Sequence, residues 1–191
     1  IYTITHTLSL HDALPIYPDF AGIIDDTVSL RDKYCPDAKV SVLSNSTFID
    51  RPAVHDALMK VDNNILKLDT VDAEYISNVD RPTSPAYDVR KIIEGIRSFN
   101  GHAIIQTMFM KGTFVRRSSD GTPTTIDVSN VDEKYVKPWL DAVRYIAPQE
   151  VMVYTIDRET PDHDLRKASH EELDAIRDRV IAMGIPCTAS Y

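Results

Sequence analysis

The sequence holds only two cysteines in 191 residues, Cys35 and Cys187, and they stand far apart. That gives no basis for a disulfide framework or a zinc site, and a reducing, cytoplasmic setting follows as the default. No apolar run is long enough to span a bilayer, so no membrane partner is expected. The N-terminus lacks the basic and long apolar regions of a signal peptide. Basic residues are outnumbered, 21 against 29 acidic, for a formal charge of -8. That balance argues against broad electrostatic capture of nucleic acid, DNA included. The six histidines show neither H-x-x-x-H nor H-E-x-x-H spacing, which removes the usual histidine metal sites. No G-x-G-x-x-G follows a strand, no G-x-x-x-x-G-K-[ST] is present, and no G-x-S-x-G elbow supports a serine hydrolase. Internal repeats and low-complexity stretches are absent.

What is present is a rhythm of helix and strand in a chain long enough for one domain with a real core. Pro18-Asp19 opens a helix to about Lys33, with Phe20, Ile23, Ile24 and Val28 at helical spacing. The break at "CPDA" leads into a strand, Lys39 to Ser44. Pro52 starts a second helix at the position where its missing N–H does no harm. Strands follow at 63–69, 102–110 and 150–157, and "IPCTASY" reads as a fifth. A short helix is expected in "VDAEYISNV", an amphipathic one over Val89, Ile92, Ile93 and Ile96, and a longer one from Val131 to Ala147. Ser169 with Glu172 forms a capping box. "KGTFVRRSSDGTPTTIDVSN" reads as a long polar loop, and "RETPDHDLRKA" as another. His55 is expected at the surface, and Tyr135, Trp139 and Tyr145 in core or helix-surface packing.

Strands apolar on both faces, alternating with helices, mean a parallel sheet covered by helices. Both a (β/α) barrel, whole or partial, and an open doubly wound sheet satisfy this. The missing nucleotide fingerprints favour the barrel. In either fold the site lies at the C-terminal strand ends. Those ends carry Ser44-Asn45-Ser46, then Lys67 and Asp69, then Gln106 and Thr107, then Thr155, Asp157 and Arg158. Four strands turning polar at one end predict a shared pocket. For Lys67 taken alone, snorkelling to solvent and pairing with a nearby Asp is the simpler expectation. Arg116-Arg117 could contact an anionic substrate or be plain solvated loop.

"VLSNST", "NILKLDT" followed by "VDRP", "IIQTMFMKG", "EVMVYTIDRETP" and "GIPCTASY" resemble the radical S-adenosylmethionine (SAM) superfamily, from about Tyr17 to Tyr191. The branch resembled is that of iron–sulfur oxidoreductases similar to wyosine-base-forming enzymes. The resemblance implies an α/β fold, a partial parallel (β/α) barrel with its N-terminal strand or strands missing. It implies SAM and a [4Fe-4S] cluster as cofactors, the cluster held by a C-x-x-x-C-x-x-C loop and reductively cleaving SAM to begin radical chemistry. RNA is a substrate class by family analogy only. This chain has no such cysteine triad. Where the family has a Gly-Glu-Pro-type clamp for the SAM amino group, it reads "HDALPIYPDF". The cofactor-binding positions that remain by resemblance are Asn45, Lys67, Asp69, Gln106, Thr107, Thr155, Asp157 and Arg158.

"THTLSLHDALPI" resembles translated sequencing-adapter sequence. Residues 1-16 are therefore expected to be a non-native prefix, and 17-191 the distal part of a radical SAM domain from a truncated gene. The "TLSL" and "LPI" pieces are apolar enough to fill a strand position even so. Three functional hypotheses follow. The first is a radical SAM enzyme whose intact parent carries the cluster, this fragment alone being inactive. The second is a cluster-free (β/α) barrel serving as a binding module. The third is a Schiff-base aldolase-type enzyme using Lys67.

Overall fold

The computed structural model describes residues 17–84, 87–117, 120–157 and 164–191, together with the backbone of Thr7–Leu8. The remaining residues, Arg158 among them, lie outside the described set. The expected rhythm is found. Helix α1 (Phe20–Tyr34) precedes β2 (Ser41–Ser44), α2 (Pro52–Leu58) precedes β3 (Asn63–Lys67), and α4 (Val89–Arg97) precedes β4 (Ile104–Met108). Helix α5 (Glu133–Ile146) leads into β7 (Glu150–Tyr154), and α6 (His170–Ile181) into β9 (Cys187–Ser190). The Ser169–Glu172 capping box closes reciprocally at the start of α6. Strand β1 (Thr7–Leu8) lies parallel to β2, opposite Ser41 and Val42.

Strand order decides between the two sheets that the sequence allows. The parallel sheet runs β1-β2-β3-β4-β7-β9, in chain order and with no reversal. A doubly wound sheet reverses direction at a switch point, where helices change face. Right-handed crossovers that never reverse put every helix on one side, which is the barrel arrangement. The core sits on that helix side: Leu66, Ile105, Val151 and Val153 pack with Leu58, Ile96, Phe99, Trp139 and Val143. On the other, inner face most alternate residues of β3 and β7 are half-buried, as are Gln106 and Met108 of β4. Lys67, Gln106 and Met152 form one row across β3, β4 and β7, with Tyr154 one step further along.

Two expected loops are corrected. Within these stretches β5 (Met110–Arg117) and β6 (Pro123–Asp127) pair antiparallel, and β8 (Leu165–Lys167) pairs with the other edge of β5. The composition is polar because one face meets solvent. The other face carries Met110, Phe114, Ile126 and Leu165, which pack with Tyr75, Val79 and Val128 in a second, smaller core. Arg116 and Arg117 are thus strand residues. Gly112 in β5 has φ +106°, and a Cβ there would lie 2.0 Å from the Asp164 carbonyl oxygen. Only glycine lets β5 and β8 approach so closely. His55 is half-buried and not a surface residue; its ring stacks on Phe99 at 4.3 Å because α2 lies against the turn that ends α4. Trp139 is fully buried, as core packing requires, while Tyr145 lies exposed on the same helix. Among the described residues, no helix is long and apolar enough to cross a membrane.

Candidate active site

The C-terminal end of β3 is held in place by backbone-directed side chains. The Thr107 hydroxyl donates to the Leu68 carbonyl at 2.9 Å, and the Trp139 indole N–H donates to the same oxygen at 3.0 Å. Trp139 also lies 3.1 Å from Thr107 Oγ1 and meets Phe109 edge-to-face. On the other side, Ser46 is fully buried at φ +66° and donates its hydroxyl to the Lys67 carbonyl at 3.0 Å. That bond fixes an unfavourable left-handed residue in the loop after β2. Asn45 Oδ1 accepts from the Thr47 N–H in the same loop.

From this end project Lys67 and Asp69. Their charged atoms lie 3.3 Å apart, and Asp69 Oδ1 accepts the Met108 N–H at 2.7 Å. Burial alone would lower the Lys67 ammonium, but Asp69 and the adjoining Tyr154 hydroxyl more than offset it and hold it up at about 12. Lys67 is therefore an ammonium at any physiological pH. The chain then continues through the Asp72-capped α3 (Ala73–Tyr75) into a π-helical turn, Ile76–Asp80, closed by a left-handed Arg81 at φ +45°. Such π turns recur at functional sites. This one returns Asp80 to Asp69 and Lys67. Burial and then Asp69 push the Asp80 carboxyl up to about 7, although Lys67 opposes the rise. Asp80 is an exposed residue, but it lines a recess whose protein walls restrict its hydration.

The recess is a cavity of about 270 Å³, lined by Asn45, Lys67, Asp69, Asp80, Tyr87 and the threonines Thr47 and Thr70. Tyr87 also borders a second cavity of about 320 Å³ beside Arg51 and Lys91. Of the eight expected site residues, the fold brings Asn45, Lys67 and Asp69 together here, with Gln106 beside Lys67 in register. Thr107 and Thr155 are buried and turned to the backbone; Thr155 Oγ1 accepts the Ala168 N–H at 2.8 Å. Asp157 is exposed beyond β7, and Arg158 lies outside the described residues. Sequence inspection missed Asp80, Tyr87 and Tyr154. The "VDRP" stretch held the one available signal, an acid beside a Pro-terminated turn.

No family model matches the sequence. Two curated relatives, UPF0026 proteins of Helicobacter pylori strains J99 and 26695, are 28% and 27% identical over 110 residues. The match takes in 56% of this chain, and it spans about a third (34%) of each relative's length. Solved structures align more fully. A radical SAM methyltransferase from Sphaerobacter thermophilus superimposes with TM-score 0.59 at 17% identity, over 85% of this chain and 44% of that one. Streptococcus suis SuiB bound to S-adenosylmethionine gives 0.59 at 12%, over 93% and 37%. A domain of a pyruvate-formate lyase-activating enzyme from Bacteroides vulgatus gives 0.54 at 13%, over 90% and 93%. The chain shares their fold. At these identities the likeness speaks for architecture, and the chemistry has to be argued from the residues.

The polar lining of the recess suits a small polar group: carboxylate and amide oxygens that accept from hydroxyl and ammonium groups, and a phenol wall at Tyr87. It does not fit a [4Fe-4S] cluster. Cys35 follows α1 and Cys187 opens β9, so both lie toward the N-terminal strand ends, opposite the recess. Burial pushes the Cys187 thiol up to about 12, away from the thiolate that iron needs.

Proposed function

We propose that this chain is the distal part of a radical SAM (β/α) domain, and that the recess at the end of β3 takes the adenosyl portion of SAM. The intact parent is then an iron–sulfur oxidoreductase of the branch similar to wyosine-base-forming enzymes, acting in the cytoplasm. The observation that carries this is the Lys67–Asp69 pair, held 3.3 Å apart at the functional rim of a fold shared with SAM-bound SuiB. In such a parent, SAM supplies the fragment that reductive cleavage releases to start radical chemistry. The residues here bind and orient. Asp69 fixes Lys67, Ser46 and Thr107 fix the strand end that carries both, and Tyr87 walls the recess.

Because the two cysteines do not fit a cluster, this chain by itself is expected to bind SAM without cleaving it. Isothermal titration of the purified chain with SAM tests the binding; Lys67→Met and Asp69→Asn should each abolish it. Anaerobic iron–sulfur reconstitution of the intact gene tests the parent, and a gene with no cysteine triad upstream of Tyr17 would sink that part. SAM binding with no such triad favours a cluster-free binding module, which the positions of Cys35 and Cys187 also suit. A Schiff-base role for Lys67 is disfavoured: that chemistry needs a neutral amine, and Asp69 keeps Lys67 charged. The substrate class draws no support for RNA from a segment with formal charge -8.

A further inference from the structure

The Lys67–Asp69 pair leaves one charge in the recess unmatched. Asp80 has no hydrogen-bond or ion-pair partner among the described residues. Its position is nonetheless fixed. The π-helical turn that ends on it is anchored from behind by Tyr75 and Val79 in the second core, and the left-handed Arg81 turns the chain away immediately after it. The titratable groups facing Asp80 are Lys67 at the end of β3, Asp69 just after it, Tyr75 from α3, and Tyr87 from the segment before α4. Burial raises both phenols, so they stay neutral. Lys67 is already matched by Asp69, and Asp69 repels a second carboxylate. An unpaired anion in a recess partly removed from water is costly, and an arriving cation would recover that cost.

We propose that Asp80 is the counter-ion for a cationic group of the ligand bound in this recess. The inference rests on the SAM-binding reading of the same cavity and adds which ligand feature is recognised and by which residue. SAM carries a sulfonium and an ammonium, S-adenosylhomocysteine the ammonium alone, and adenosine neither. Only ionised Asp80 pairs with a cation. Affinity for SAM therefore rises with pH through the Asp80 transition and levels off above it, and binding below that range releases a proton.

Titration calorimetry of the full chain with these three probes, from pH 6 to 8.5, tests this. Wild type should bind SAM more tightly than adenosine, with the gap widening as pH rises. Asp80→Asn should weaken SAM binding roughly tenfold or more, leave adenosine little changed, and flatten the pH dependence. Asp80→Glu should keep part of the SAM preference, and thermal melts of both variants should show an intact fold. Unchanged SAM affinity in Asp80→Asn, or an equal loss for SAM and adenosine, would overturn the counter-ion role while leaving the SAM site standing. No SAM binding by wild type at any pH would overturn both.

Discussion

The Tyr75 hydroxyl donates to the Val128 carbonyl at 2.9 Å, joining the short helix after β3 to the end of the antiparallel β5–β6 pair. Tyr75 also meets Tyr135 edge-to-face at 5.3 Å. Burial raises its phenol well above the usual range, so it remains a donor at all relevant pH. One side chain thus couples the inserted sheet to the turn that presents Asp80. Replacing it with phenylalanine keeps the ring and leaves the Val128 carbonyl without its partner. Tyr75→Phe is expected to cost about 1–2 kcal/mol in denaturant unfolding and to weaken SAM binding more than its distance from the recess suggests.

Thr107→Val distinguishes a structural from a ligand-binding threonine. The hydroxyl serves Leu68 and Trp139 inside the core. Stability should fall by about 1–3 kcal/mol with SAM affinity per folded molecule unchanged. A selective loss of affinity at unchanged stability would return Thr107 to the ligand.

Asp69→Ala removes the acceptor for the Met108 N–H and the partner of Lys67 together. A loss of roughly 2–3 kcal/mol is expected, with SAM binding abolished. Lys67, without its main raising partner and with only Tyr154 and Asp80 left to oppose burial, should titrate lower than in wild type, which differential lysine labelling across pH would reveal.

Gly112→Ala places a methyl group against the Asp164 carbonyl at a backbone angle that alanine avoids. A cost of roughly 3 kcal/mol follows from strain and overlap. Hydrogen exchange should show the opening confined to β5, β6 and β8, with the parallel sheet still protected.

Asp80 gives stability an unusual pH slope. Its carboxyl rises from the ordinary range to about 7 in the folded protein, so the folded state holds the proton more tightly than the unfolded state does. Stability from this group is full at pH 4 and below and declines as pH climbs toward 7. Above 7 the whole penalty is present. Asp80→Asn should therefore stabilise the protein at pH 8, by on the order of 1 kcal/mol after solvent screening, and do nothing at pH 4. Thermal melts at the two pH values check this, and a stabilised variant that binds SAM poorly is the pattern expected of a functional residue.

The sequence by itself determined the alternation of helices and parallel strands, the capping box at Ser169, and the polar strand ends that hold Asn45, Lys67 and Asp69. Those features are local: periodicity, a cap, and apolar runs that need cover on both faces. The Lys67–Asp69 pair was legible for the same reason, since two residues apart on an extended strand end bring both side chains to one rim. Tertiary structure alone decided the rest. The unreversed strand order separates a barrel from a doubly wound sheet, and it depends on which strands pair across long separations. The β5–β6–β8 sheet escaped notice because its apolar face is a minority of a polar segment and because β8 joins β5 from some fifty positions away. Thr107 and Lys67 look alike as polar residues at strand ends, yet strand pleating turns one into the core and the other into the recess. Asp80 meets Asp69 because a π-helical turn, braced by Tyr75 and Val128, folds an ordinary-looking loop back over the site.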